Sequence, residues 1–182
     1  EVQWTQPEHK DFESFARRLD KEFERLDYCG VNACRNFYEV NQIGAWNKSQ
    51  QTYEVTLKTF CPDADIYYAV NDSTVNTSSS LYKTPIPLDE DATVYSAVYR
   101  DGKPLGKVTR KSFAVNKATG CDYTCNPEAG WEHLNKGFGL TDGRRGYARD
   151  MRRWISFYQD TVQIVVELKK PQKVKEVAFS SL

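Results

Sequence analysis

Phe12, Phe15, Ala16, Leu19, Phe23 and Leu26 recur at steps of three and four residues, a spacing that an α-helix turns into one apolar stripe. Residues 5–28 therefore read as a helix. Its start is marked by Thr5 followed by Gln6-Pro7-Glu8, a capping-box pattern with a proline in the first turn, where the missing N–H costs nothing. Asp27 and Gly30 bracket its end. Burying the five large side chains of the stripe contributes roughly 1.5–3 kcal/mol each, on the order of 10 kcal/mol together. A stripe of that size needs a partner surface, either on the rest of the chain or on a second copy of the helix.

From about Gln51 the period changes from 3.6 to two. Tyr53–Lys58, Asp65–Val70 and Thr93–Tyr99 alternate apolar and polar residues and are expected to be strands. Asn71-Asp72-Ser73, Thr77–Ser80 and Asp101-Gly102 are turn segments between them. This block, residues 46–116, reads as a small antiparallel β-sandwich. A third block, residues 117–182, holds a Gly/Cys/Asn-rich stretch from Gly120 to Gly130, a turn at Thr141-Asp142-Gly143, and expected strands at Thr161–Leu168 and Val174–Phe179. The fold class expected is mainly β with an N-terminal helix: a small antiparallel sandwich followed by a partial jelly-roll-like β-module. Residues 1–45 are the helical segment and its linker.

Lys+Arg and Asp+Glu both number 25, so no net field is available to steer polyphosphates, and nucleic acid is not an expected partner. No apolar run approaches the length of a membrane span. The five cysteines, Cys29, Cys34, Cys61, Cys121 and Cys125, allow at most two intrachain disulfides with one left over, and spacing leaves the pairing open. His9 and His133 stand apart from them, so no zinc site is expected.

Glu1-Val2-Gln3-Trp4-Thr5-Gln6-Pro7-Glu8-His9-Lys10-Asp11-Phe12, continuing through Phe15–Leu19 and Gly30-Val31-Asn32, resembles the closing strand and last helix of the (β/α)8 barrel of glycoside hydrolase family 20. Cys34 stands where that family carries an aromatic. Ile66–Ser73 and Ser80–Leu88 resemble the fibronectin type III-associated module that follows such barrels, although Val70-Asn71-Asp72 lacks the module's turn glycine. Leu140–Gly143, Trp154 with Phe157, and Val162–Leu168 resemble the start of a discoidin-like, coagulation factor type C module, with Lys169 in place of the usual glycine. The resemblance implies the C-terminal region of a bacterial β-N-acetylhexosaminidase, with both chain ends falling inside larger modules and a periplasmic, cell-surface or secreted location.

That family, as the resemblance implies, uses a neighbouring Asp-Glu pair in substrate-assisted hydrolysis. The pair is expected upstream of Glu1, so these residues are expected to be non-catalytic and to have the barrel as their principal partner. Asp89-Glu90, the one Asp-Glu dipeptide, falls in a polar turn and reads as a solvated loop. Glu1 and Trp4, near a barrel strand end, are candidates for the edge of the parent's pocket. Trp131, Tyr147 and Trp154 are candidates for glycan contact, against a competing reading as packing aromatics. Asp142 is the candidate ligand of a structural calcium; no other cofactor is expected. Arg144, Arg145, Arg149, Arg152 and Arg153 read as a solvated basic loop. The alternative function is a free-standing carbohydrate-binding module, which predicts glycan affinity in this chain alone.

Overall fold

The computed structural model describes residues 6–126, 139–143, 154–157 and 161–179. It is mainly β, with one α-helix near the N-terminus and several antiparallel sheets, a β-sandwich-like fold of the class expected. Backbone contacts divide the chain into two compact units, Glu1–Gln42, Leu57–Thr84 and Thr93–Lys111 in the first and Ile43–Thr56, Pro85–Ala92 and Ser112–Leu182 in the second.

The helix, α1, spans Phe12–Tyr28 and starts later than the sequence suggested. Pro7–His9 forms a separate 3-10 turn, and Asp11 is the N-cap, its carboxylate accepting the Ser14 N–H at 3.0 Å. A carboxylate one residue before the apolar stripe satisfies an orphan donor and faces the positive end of the helix dipole, so helix begins there. The end is as expected. Gly30 takes φ +69°, the Val31 N–H returns to the Leu26 carbonyl at 2.8 Å and the Gly30 N–H to Asp27 at 3.0 Å, a Schellman motif.

In the first unit a five-stranded sheet runs β4 (Ser80–Leu81), β3 (Asp65–Val70), β6 (Ala92–Arg100), β7 (Lys103–Pro104), with β8 (Thr109–Phe113) also paired to β6. β3 and β6 are antiparallel from Asp65↔Tyr99 to Val70↔Val94. Asp101 and Gly102 both have positive φ, the two-residue turn whose twist suits a hairpin, and they place Arg100 opposite Lys103. β6 is buried on both faces. Val94, Ser96 and Val98 line one; on the other, Ala97 and Tyr99 pack with Val75, and the Tyr99 hydroxyl donates to the Val75 carbonyl at 2.9 Å.

In the second unit β2 (Thr52–Lys58) pairs antiparallel with β5 (Ile86–Leu88), Tyr53 opposite Leu88 and Val55 opposite Ile86. β1 (Asn41–Asn47) lies on the other side of β2. Tyr53, Val55, Ile86, Leu88, Phe113 and Val115 are among the buried residues of this unit. β9 (Asp122–Asn126) and β10 (Gln163–Glu167) make a separate antiparallel ribbon, with Cys125 opposite Ile164 and Tyr123 opposite Val166. Val174–Phe179, expected to be a strand, carries no regular secondary structure. Val174, Val177 and Phe179 are exposed, and Glu176 and Lys175 interrupt both faces of the segment, so neither offers a continuous apolar surface to a sheet.

Candidate functional site

The most fully built group of polar side chains lies where α1 meets the rest of the first unit. Asp20 falls on the same side of the helix as Ala16 and Phe23, the two fully buried positions of α1. Its carboxylate receives Arg100 Nη1 at 2.7 Å and the Tyr38 hydroxyl at 2.8 Å. Arg100 is the last residue of β6, on the Val94–Ser96–Val98 side, and its Nη2 donates to the Pro62 carbonyl at 2.8 Å and approaches Cys61 Sγ at 3.1 Å. Tyr38 sits in a one-turn 3-10 helix, Asn36–Tyr38, with its ring 5.3 Å from that of Phe23. One carboxylate thus fastens the helix to a strand end and to the segment that follows the helix, and Arg100 ties the same point to the loop after β2.

The electrostatics follow from burial. Removal from water raises the Tyr38 hydroxyl, and donation to Asp20 raises it further. Burial pushes the Cys61 thiol up to about 11, outweighing the neighbouring Arg100 cation. For Arg100 burial acts downward, but the hydrogen bond and charge of Asp20 dominate and the guanidinium is held more firmly protonated than usual. The phenol and the thiol are both shifted upward, and the Asp20–Arg100 pair closes on itself. Their hydrogen bonds and charges are spent on one another, so the arrangement ties the helix to its neighbours.

Two further contacts extend the joint. Phe12 packs edge-on against Phe60 with centroids 5.3 Å apart, and Arg17 pairs with Asp63. Gln42, 2% exposed, donates to Ser96 Oγ at 2.8 Å and to the Thr109 carbonyl at 3.1 Å, while Lys111 Nζ donates to the Gln42 carbonyl. The apolar stripe of α1 therefore finds part of its partner surface inside this chain.

The residues singled out from sequence are spread apart. Glu1, Trp4, Trp131 and Tyr147 lie outside the described residues, as do Arg144, Arg145, Arg149, Arg152 and Arg153. Trp154 is half-buried in a short described stretch. The Asp142 carboxylate accepts the Gly139 N–H at 3.1 Å and closes the turn around Thr141. Among the described residues no three His, Cys, Asp or Glu side chains gather as a metal site, so the calcium expectation rests on Asp142 alone. Asp89 and Glu90 are exposed in the connection from β5 to β6. All five cysteines are free thiols: Cys29 and Cys34 exposed, Cys61 and Cys121 buried, Cys125 half-buried. No described helix is long and apolar enough to cross a membrane.

Asp20, Tyr38, Cys61 and Arg100 were not among the sequence candidates. One signal was available: an acid on the buried stripe of an amphipathic helix requires a buried cation or donors elsewhere.

The stretch from within β2 to the last residue of β8 carries the decisive likeness. Residues 55–113 match the family model described as Fn3 associated. The match fits a fibronectin type III-associated module, and Phe60, Asp63 and Arg100, which meet α1, all lie within the matched residues. The match suggests an accessory domain of a larger protein. No curated protein matches the chain.

Proposed function

We propose that this chain is a non-catalytic accessory region of a β-N-acetylhexosaminidase, in which the fibronectin type III-associated module braces the last helix of the catalytic barrel. The observation that carries the reading is the Asp20–Arg100–Tyr38 joint. The helix with the barrel-like sequence is fastened to the module by a largely buried ion pair. An ion pair leaves little freedom of orientation, because rotating the helix by one residue would bury Asp20 without its cation, at several kcal/mol. The module thereby sets the position of whatever is continuous with α1. Parent activity would be removal of terminal N-acetylhexosamine from glycans, outside the cytoplasm.

The test is enzymatic. The purified 182-residue chain is expected to leave a chromogenic N-acetylglucosaminide intact, whereas the product of the whole reading frame is expected to hydrolyse it. Introducing Asp20→Asn into that product should shorten its activity half-life on warming with little change in KM. Hydrolysis by the short chain, or a whole product without hexosaminidase activity, overturns the reading.

A further inference from the structure

We infer that Cys29 and Cys34 are a thiol pair that a low-molecular-weight disulfide oxidises to an intramolecular disulfide, a modification site at the C-terminal end of α1. Burial divides the five cysteines. Cys61 is 5% exposed beside Arg100, Cys121 is 6% exposed with its thiol donating to the Lys117 carbonyl at 3.4 Å, and Cys125 is half-buried on β9. Cys29 and Cys34 are the two exposed thiols, and both lie in the first unit.

They flank one chain reversal. Cys29 is the C-cap of α1, and Gly30 in the left-handed region turns the backbone out of the helix. By Arg35 the chain has come back alongside the helix: the Arg35 guanidinium pairs with Asp27 and lies 4.7 Å from the centroid of the Phe23 ring. The Phe37 ring then follows at 5.8 Å from Phe23. The two limbs of the reversal are thus already tied one residue beyond Cys34 and two before Cys29. Residues 31–35 have no regular secondary structure, so closing the sulfurs on each other breaks no helix or ladder bond of that segment.

The chemistry balances without any group from the protein beyond the two thiols. One cysteine thiolate attacks a sulfur of oxidised glutathione, forming a mixed disulfide and expelling a glutathione thiolate. The second cysteine thiolate then attacks the protein sulfur of that mixed disulfide and expels the other glutathione. Two cysteine thiols are oxidised, one disulfide is reduced, and the two protons end on the two released glutathiones.

The experiment equilibrates the native chain in a glutathione redox buffer, quenches with acid, and reads intact mass and a tryptic map. The expected product is two hydrogens lighter than the reduced chain, carries no glutathione, and yields a peptide pair joined through Cys29 and Cys34. The Cys29→Ser chain, treated identically, should keep one glutathione on Cys34. Glutathione remaining on both cysteines of the unaltered chain, a dimer linked through either, or a Cys29→Ser chain unmodified at Cys34 overturns the inference.

Discussion

Replacing Asp20 by Asn tests whether the joint between α1 and the fibronectin type III-associated module is energetic or incidental. The substitution keeps size and leaves an acceptor for the Tyr38 hydroxyl, so the change is chiefly the loss of charge opposite Arg100. In the folded chain the Asp20 side chain is 13% exposed and Arg100 26%, and the Arg100 Nε is buried without a partner among the described residues. Breaking one partner of a fully buried pair costs about 3–5 kcal/mol. Arg100 keeps its bond to the Pro62 carbonyl and some contact with water, which places the expected cost at about 2–4 kcal/mol. For a chain of this size that is a fall in Tm of about 4–16 °C. Urea unfolding followed by far-UV circular dichroism measures it. A cycle with Arg100→Met and the double variant should return a coupling of about 1–3 kcal/mol, because removing both charges leaves neither stranded. The exposed pair Arg17–Asp63, 49% and 70% exposed, is the control: Arg17→Gln should cost under about 1 kcal/mol and depend on salt. A cost for Asp20→Asn within the range of that control, or strict additivity in the cycle, would refute the argument that burial makes this pair the fastening point.

Two glycines with similar φ should respond differently to alanine. Gly30→Ala pays only the left-handed backbone cost, about 1–2 kcal/mol, because a Cβ there meets open space, whereas at Gly120 (φ +71°) a Cβ would run into the Trp46 indole and the loss should exceed about 3 kcal/mol in the same urea assay. Asp11→Ala should lower stability by about 1 kcal/mol and fray the first turn, seen as faster amide exchange at Ser14. Cys61 should give a pH signature. Its thiol is raised from 9.0 to about 11 in the fold, so above pH 9 the unfolded chain loses that proton first; stability falls as pH climbs from 9 towards 11, and the urea midpoint advantage of the natural chain over Cys61→Ala should shrink across that window.

The parts of this fold that could be read from sequence are those in which apolar periodicity and burial coincide. Tyr53, Val55 and Leu57 alternate and are buried, so β2 appears within a residue of its expected place, and the Asp101-Gly102 turn fixes the end of β6. β1 was invisible for the opposite reason. Its inward positions are Gln42, Gly44 and Trp46, while Ile43 and Ala45 face out, so its hydrophobic alternation points the wrong way. Gly44 is small because the Tyr53 hydroxyl occupies the space a Cβ would need, and Gln42 is polar because it must meet Ser96 and the Thr109 carbonyl. Both are reasons that lie in other strands. Val174–Phe179 is the converse case, β-forming residues without a clean alternation, and it takes no regular secondary structure.

The joint was hidden by the same physics. Asp20, Tyr38, Cys61 and Arg100 are separated by up to 80 residues, and each alone looks ordinary: a helix acid, an aromatic after a turn, a cysteine, a strand-end arginine. Only Asp20 breaks a local rule, standing on the helical stripe between Ala16 and Phe23 where an apolar residue would cost nothing. A chain built only to bury that stripe has no need of a charge there. Placing one makes packing conditional on a single cation at one strand end, which converts a greasy, slidable contact into one with a fixed register. The variant that separates these roles is Asp20→Leu with Arg100→Met. If the pair sets register more than it stabilises, that double variant should fold with stability near or above the natural chain, yet lose the tilted 5.3 Å ring contact of Phe23 with Tyr38, read as altered aromatic proton shifts. Retention of those shifts would mean that apolar packing alone positions the helix, and that the ion pair is there for some other reason.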